Sequence, residues 1–240
     1  IPKANFKVQK RNGKGVKNED DAILDTISTN TIDNLMLFTS KGKMYKMLVD
    51  NVPVGTNVSK GVRIGTLLTM DADEKVIAVS SLHRKTNAQY VLFVTKQGLI
   101  KKTYLEEYTS VKRSTGIAAI KLKEGDSLAN VTFIDEEEMI IITKNGMSIH
   151  FPTDDINPIG RVTSGVKSIK LAEGDEVVVG LPIHKNTDTV AIFTAKGFSK
   201  KCAIDEFPYQ ARAGKGVVTY KPTDVTGLVV GAAMVDDEDN

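Results

Sequence analysis

The segment Gln9-Lys10-Arg11-Asn12-Gly13-Lys14-Gly15 carries the most specific chemistry in the chain. Three cations are interleaved with glycines over seven positions. Glycine lets the main chain approach an anion closely and turn its N–H groups toward it, and arginine grips phosphate through two parallel hydrogen bonds. The pattern is that of a phosphate-binding loop. A second version, Gln210-Ala211-Arg212-Ala213-Gly214-Lys215-Gly216, agrees at five of the seven places. Traces recur as Lys60 before Gly61, Lys112-Arg113 before Gly116 and Arg161 before Gly165.

Other chemistries find little support. Gly13-Lys14-Gly15-Val16 lacks the remainder of a nucleotide P-loop. His83, His150 and His184, with the single Cys202, have no zinc-ligand spacing, and each reads as an ordinary surface or strand residue. No Ser/His/Asp pattern is spaced for nucleophilic catalysis. Thirty carboxylates stand against thirty-two cations, so an acid–base pair can be drawn almost anywhere and carries no signal. No catalytic residue and no metal site are expected.

The elements that must position these loops are four copies of one unit. Each begins with an apolar run, Thr-x-x-Gly and a basic run. The copies are LMLFTSKGKMYK (Thr39, Gly42), VLFVTKQGLIKK (Thr95, Gly98), IIITKNGMSIH (Thr143, Gly146) and AIFTAKGFSKK (Thr194, Gly197). A second glycine, at Gly61, Gly116, Gly165 and Gly216, opens a short apolar run 18 or 19 residues after the first. A third run closes each unit, beginning at Lys75, Ser127, Glu176 and Leu228. Short runs rich in Val and Ile are strands, and glycine at the fourth turn position makes the first two a hairpin. About four strands per unit and some fifty residues per copy predict radial blades, an all-β propeller-like disc. The expected division is one domain over 1–240: a partial blade at 1–32, then repeats at about 33–87, 88–137, 138–187 and 188–240. Both ends fall inside a repeat, which points to an excised domain with further units on either side.

Net charge is only +2, but Asp236, Asp237, Glu238 and Asp239 supply four of the negative charges at one end. Basic residues gather just after the Thr-x-x-Gly turn and just before the second glycine, a fixed phase that would form a stripe on the rim of a disc. No apolar stretch is long enough to span a membrane, and the first residues lack the apolar core of a signal peptide. One cysteine fits a reducing compartment.

The heptapeptide resembles the box Gln-Arg-Arg-Gly-Gly-Lys-Gly of bacterial DNA gyrase A subunits. Gln9, Arg11, Gly13, Lys14 and Gly15 match; Lys10 replaces Arg, and Asn12 departs from the first Gly. Asn tolerates left-handed backbone better than most residues, so the loop is retained. The repeated apolar-Thr-x-x-Gly-basic segments extend the resemblance to the C-terminal domain of those subunits over essentially the whole chain.

The resemblance implies a β-pinwheel of about five four-stranded blades whose neighbours exchange strands. It implies non-sequence-specific binding, bending and wrapping of duplex DNA on a basic rim, which directs negative supercoiling. The implied DNA-binding set is Gln9, Lys10, Arg11, Asn12, Gly13, Lys14, Gly15, Lys41, Lys43, Lys46, Arg63, Lys101, Lys102, Lys112, Arg113, Arg161, Lys200, Lys201, Arg212 and Lys215, with Lys96, Lys144, Lys167 and Lys196 as further candidates. The implied partners are the gyrase A cleavage core and gyrase B in an A2B2 holoenzyme of the bacterial cytoplasm and nucleoid. The isolated domain is expected to be monomeric, without membrane contact and without a cofactor, ATP and magnesium being used elsewhere in the holoenzyme. Two other readings compete. One is the C-terminal domain of the topoisomerase IV counterpart of gyrase A, which binds DNA for substrate selection without strong wrapping. The other is a propeller serving as a protein-interaction platform, which the absence of Trp and the 6% aromatic content disfavour.

Overall fold

A computed structural model describes residues 26–56, 59–83, 86–110, 115–135, 137–183 and 189–235. Within them each repeat contributes a hairpin and a closing strand. The first gives β1 (Asn34–Thr39), β2 (Lys43–Leu48), a helical turn α1 (Ile64–Leu67) and β3 (Val76–Leu82). The second gives β4 (Tyr90–Thr95), β5 (Leu99–Tyr104), the helical turn α2 (Glu106–Thr109), the two-residue β6 (Ile117–Ala118) and β7 (Leu128–Ile134). The third gives β8 (Glu138–Thr143), β9 (Met147–Pro152), β10 (Val166–Lys167) and β11 (Val177–Ile183); the fourth β12 (Thr189–Thr194), β13 (Ser199–Ala203), β14 (Val217–Val218) and β15 (Val229–Val235).

The Thr-x-x-Gly signature explains the hairpins atom by atom. The glycine amide donates to the threonine carbonyl, and the residue after the glycine donates its amide to the threonine hydroxyl at 3.1–3.3 Å. The glycines adopt φ between 69° and 79°, where a side chain would be strained. Gly146 has a second reason to be glycine. A Cβ there would fall within 2.0 Å of the Tyr220 carbonyl, because the next repeat crosses the turn.

That crossing is the organising event of the fold. The sheets have the orders β3-β1-β2-β6, β10-β5-β4-β7, β11-β8-β9-β14 and β13-β12-β15. The run after each second glycine therefore leaves its own repeat and pairs with the preceding hairpin: β6 with β2, β10 with β5, β14 with β9. About four strands per unit were expected, and the second, third and fourth repeats each hold four; each complete sheet, however, takes three strands from its own repeat and the fourth from the next. In the first repeat the run at Val62 forms no strand, and α1 follows it instead, with Leu68 packed against Leu37, Tyr45 and Met47. The fourth sheet has three strands among the described residues.

The closing strands lie side by side, β3 against β7, β7 against β11 and β11 against β15, so they form the inside of the stack and the borrowed strands its outside. Between sheets run three apolar layers. Val91 and Phe93 face the first sheet, where Phe93 meets Phe38 edge-on at 5.4 Å, while Leu92 and Val94 face the third. Both faces of β4 are covered, which is why VLFV reads as a continuous apolar run rather than an alternating one. The third layer joins Ile140 and Ile142 to Val190, Ile192 and Phe207.

Candidate nucleic-acid interface

The borrowed strands bring cations from consecutive repeats together on the outside of the stack. Lys121 donates its amide to the Thr163 carbonyl at 3.0 Å, which sets it beside the loop of Arg161. One repeat on, Lys170 donates to the Gly214 carbonyl at 2.8 Å and Ala213 to the Ser168 carbonyl at 2.7 Å. Arg212 reaches the Lys167 carbonyl through Nη1. Lys167, Lys170 and Lys215 are exposed, with Arg212 half-buried among them. At two successive junctions, cations that follow one second glycine are thus brought beside cations that precede the next. Lys121, Lys170 and Lys221 share one phase, five residues after Gly116, Gly165 and Gly216. None of the three belongs to the expected set; the signal that finds them is the count from the second glycine rather than from the hairpin.

The other expected cations fall into distinct environments. Gln9, Lys10, Arg11, Asn12, Gly13, Lys14, Gly15, Lys112 and Arg113 lie outside the described residues. Arg63 is exposed just before α1, and Lys200 and Lys201 are exposed on β13. Lys200 sits 5.9 Å over the Tyr220 ring. Lys96 and Lys196 are exposed on hairpin turns, and Lys144 lies 3.7 Å from Glu176.

Lys41 and Lys43 meet carboxylates. Lys41 pairs with Asp73 at 2.6 Å and Asp71 at 3.0 Å; Lys43 pairs with Asp71 at 3.0 Å and Glu74 at 3.6 Å. The hydrogen bonds to Asp73 and Asp71 hold the Lys41 ammonium above its ordinary range, and those lysines hold both carboxyls below theirs. Burial would raise Glu74, but bonds from Thr39 and Tyr45 outweigh it and keep the carboxyl low. Two cations against three carboxylates leave this turn without positive excess. The pairs to Asp71 and Asp73 are exposed and contribute little to stability, whereas Glu74 is buried.

Lys46, Lys101 and Lys102 correct the expectation of an outward basic run. Lys101 and Lys102 are 0% and 4% exposed, out of reach of a phosphate. Lys46 and Lys102 occupy the fourth position after the hairpin glycine, and both ammonium groups bind a backbone carbonyl of the next repeat at 2.8 Å, that of Thr109 and that of Thr153. His150, at the same phase, reaches the Phe207 carbonyl through Nδ1 at 2.8 Å and stacks on Tyr209 at 4.2 Å. In the first three repeats the side chain at this phase is a latch to the next repeat, whereas Lys201 of the fourth is exposed. Lys101 is held in a cage of oxygens, and burial pushes its ammonium down to about 7.

Tandem sheets completed by their neighbours' strands, with a closing strand on the inside of every blade, define a β-propeller of the strand-exchanging class. The sequence profile described as DNA gyrase C-terminal domain, beta-propeller, matches residues 1–30, 33–83, 89–135, 137–183 and 188–236. The gyrase A protein of Lawsonia intracellularis is 35% identical over 97% of the chain and 29% of its own length. Its Escherichia coli K12 counterpart is 35% identical over 99% of the chain and 28% of its own length. A solved gyrase A C-terminal domain superposes with a TM-score of 0.82 at 25% identity, over 98% of this chain and 78% of that one. A topoisomerase IV C-terminal domain superposes with a TM-score of 0.77 at 29% identity, over 92% and 69%. The chain belongs to the DNA gyrase C-terminal domain family. It spans less than a third of the length of these gyrase A proteins.

Proposed function

We propose that this domain binds duplex DNA through its phosphates along the exchange junctions, bends it around the outside of the stack, and so directs negative supercoiling by a gyrase holoenzyme. The observation that carries this reading is the repeated pairing of cations at the junctions, Lys121 with the Arg161 loop and Lys167 and Lys170 with Arg212 and Lys215. They lie on the exterior of the stack at two successive junctions. Phosphate contacts of this kind position DNA without reading its bases.

The physical demand explains the repetition. A compact domain of this length has a radius of about 23 Å by size scaling. A duplex axis then runs at a radius of about 33 Å, and a half turn takes about 30 base pairs and costs on the order of 14 kcal/mol in elastic bending. One loop cannot offset that; many phosphate contacts spread over the blades can. The domain itself does no covalent chemistry in this reading. The cleavage core, gyrase B, ATP and magnesium supply that elsewhere in an A2B2 assembly of the bacterial cytoplasm.

The likeness to a topoisomerase IV domain favours a second reading, DNA binding without strong wrapping. The box at Gln9 to Gly15 separates the two. In the assembled enzyme, replacing Lys10, Arg11 and Lys14 by Ala is expected to abolish the introduction of negative supercoils while relaxation persists. Unchanged supercoiling in the triple variant removes the box from the mechanism. An unsubstituted enzyme that relaxes DNA but introduces no supercoils supports the second reading.

A further inference from the structure

Lys101 is the most deeply buried cation among the described residues, and no carboxylate pairs with it. Its Nζ donates to the carbonyls of Ala119 at 2.5 Å and Arg161 at 2.8 Å. It also lies 3.4 Å from the Gly160 carbonyl, 3.4 Å from Tyr108 Oη and 4.9 Å from the centre of the Phe93 ring. Tyr108 Oη itself donates to Ala119 O at 2.8 Å. Phe93 and Tyr108 belong to the same repeat as Lys101, whereas Gly160 and Arg161 belong to the next. An ammonium taken out of water is costly unless each proton finds an acceptor. Here Ala119 of the same repeat supplies one acceptor, and the other carbonyls are supplied across the exchange junction, only when the 157–165 loop is in this place.

The rest of that loop is tied down by the same strand and by a bond of its own. Ile159 N donates to Lys102 O, Thr103 Oγ1 to Ile159 O, and Thr163 Oγ1 to Gly160 O, at 2.7–2.8 Å. With its carbonyl turned inward to Lys101, Arg161 sends its guanidinium outward. The side chain is 31% exposed, its Nε 4.0 Å from Glu107. At the same phase the other repeats carry Tyr45, Ile149 and Lys200, so the arrangement belongs to this junction alone among the described residues.

We propose that Lys101 is a positioning residue for DNA binding: its buried ammonium fixes the backbone of Gly160 and Arg161 and thereby sets where the Arg161 guanidinium meets a phosphate. The proposal rests on the DNA-binding reading above. A lysine that never touches DNA would then control one phosphate contact from within the core.

The test is duplex affinity against salt for the whole chain at pH 6, where Lys101 carries its proton, using random-sequence duplex of about 40 base pairs. Arg161→Ala is expected to make the slope of log K against log salt shallower by about 0.9, the loss of one phosphate. Lys101→Met is expected to reproduce most of that change, the double variant to add nothing to Arg161→Ala, and Lys101→Arg to restore part of it. A purely structural lysine would lower the thermal midpoint and leave the slope alone, so a folded Lys101→Met with the parental slope overturns the proposal. Where Lys101→Met does not fold, Lys101→Gln carries the test. It removes the charge and shortens the reach to the Arg161 carbonyl, and a slope equal to the parent's again overturns the proposal. An unchanged slope in Arg161→Ala leaves Lys101 nothing to position and also sinks it. Failure of the unsubstituted chain to bind duplex at low salt instead overturns the DNA-binding reading itself.

Discussion

A lysine in a basic run can stand in water, bolt two repeats together or sit inside the core, and LIKK in the second repeat contains the last two cases. Lys102 bonds to Thr153 O and Lys101 to Ala119 O and Arg161 O. Alternation along a strand says that neighbours face opposite sides, but it does not say that both sides of β5 are covered. The covering chain comes from other parts of the sequence, so the burial was not legible in the run itself. Lys101 also gives a sign-specific prediction. Its ammonium is pushed by burial from 10.5 to about 7. Below pH 7 both folded and unfolded chains hold the proton, and stability does not vary with pH on its account. Between pH 7 and about 10 the unfolded chain binds a proton that the folded chain does not, so stability rises with pH, by an amount on the order of a few kcal/mol. Denaturant unfolding of the parent and of Lys101→Met across that window should show the parent gaining on the variant. A difference that is flat, or that falls, contradicts the burial argument.

At the scale of elements, turn chemistry was legible and strand partnership was not. Thr-x-x-Gly fixes its hairpin with bonds inside five residues, so Thr143 and Gly146 can be read directly. The second glycine was visible as a spacing, but its purpose is a contact with a different repeat. At Gly165, φ is 87° and a Cβ would lie 2.5 Å from Ile100 O on β5. Nothing within Gly165 to Lys170 names Ile100 as the neighbour. Gly165→Ala therefore meets both backbone strain and a carbonyl, at about 1–3 kcal/mol or more. Gly160→Ala, five residues earlier, meets nothing within 4 Å and has no left-handed φ, so it should be near neutral. Thermal melts of the two variants check this; a fall of several degrees is expected for Gly165→Ala alone. Equal midpoints would mean that β10 can leave β5 without loss.

For the whole molecule, the account is that strand exchange both builds the propeller and makes its binding surface. The segments that begin with β6 and β10 carry their cations to the outside of the stack, where they meet those of the following loop. The fold class and the repeat were legible because fifty-residue periodicity survives sequence drift. The allocation of cations was only partly so. Arg161, Arg212 and Lys215 were read from their place before the second glycine, whereas Lys121 and Lys170 follow it and require the exchanged topology to be seen as their companions. The hairpin turns, by contrast, mix lysines with carboxylates, as at Lys41, Asp71 and Asp73.

The most direct measurement is therefore a comparison of two charge-removal variants in duplex affinity against salt. One replaces Lys121, Arg161, Lys167, Lys170, Arg212 and Lys215 by Ala; the other replaces Lys41, Lys43, Lys96, Lys144 and Lys196. The account predicts that the junction variant loses about 0.9 of slope for each cation that met a phosphate, several units in all, while the hairpin variant loses far less. A junction variant with the parental slope, or a hairpin variant with the larger loss, would contradict it.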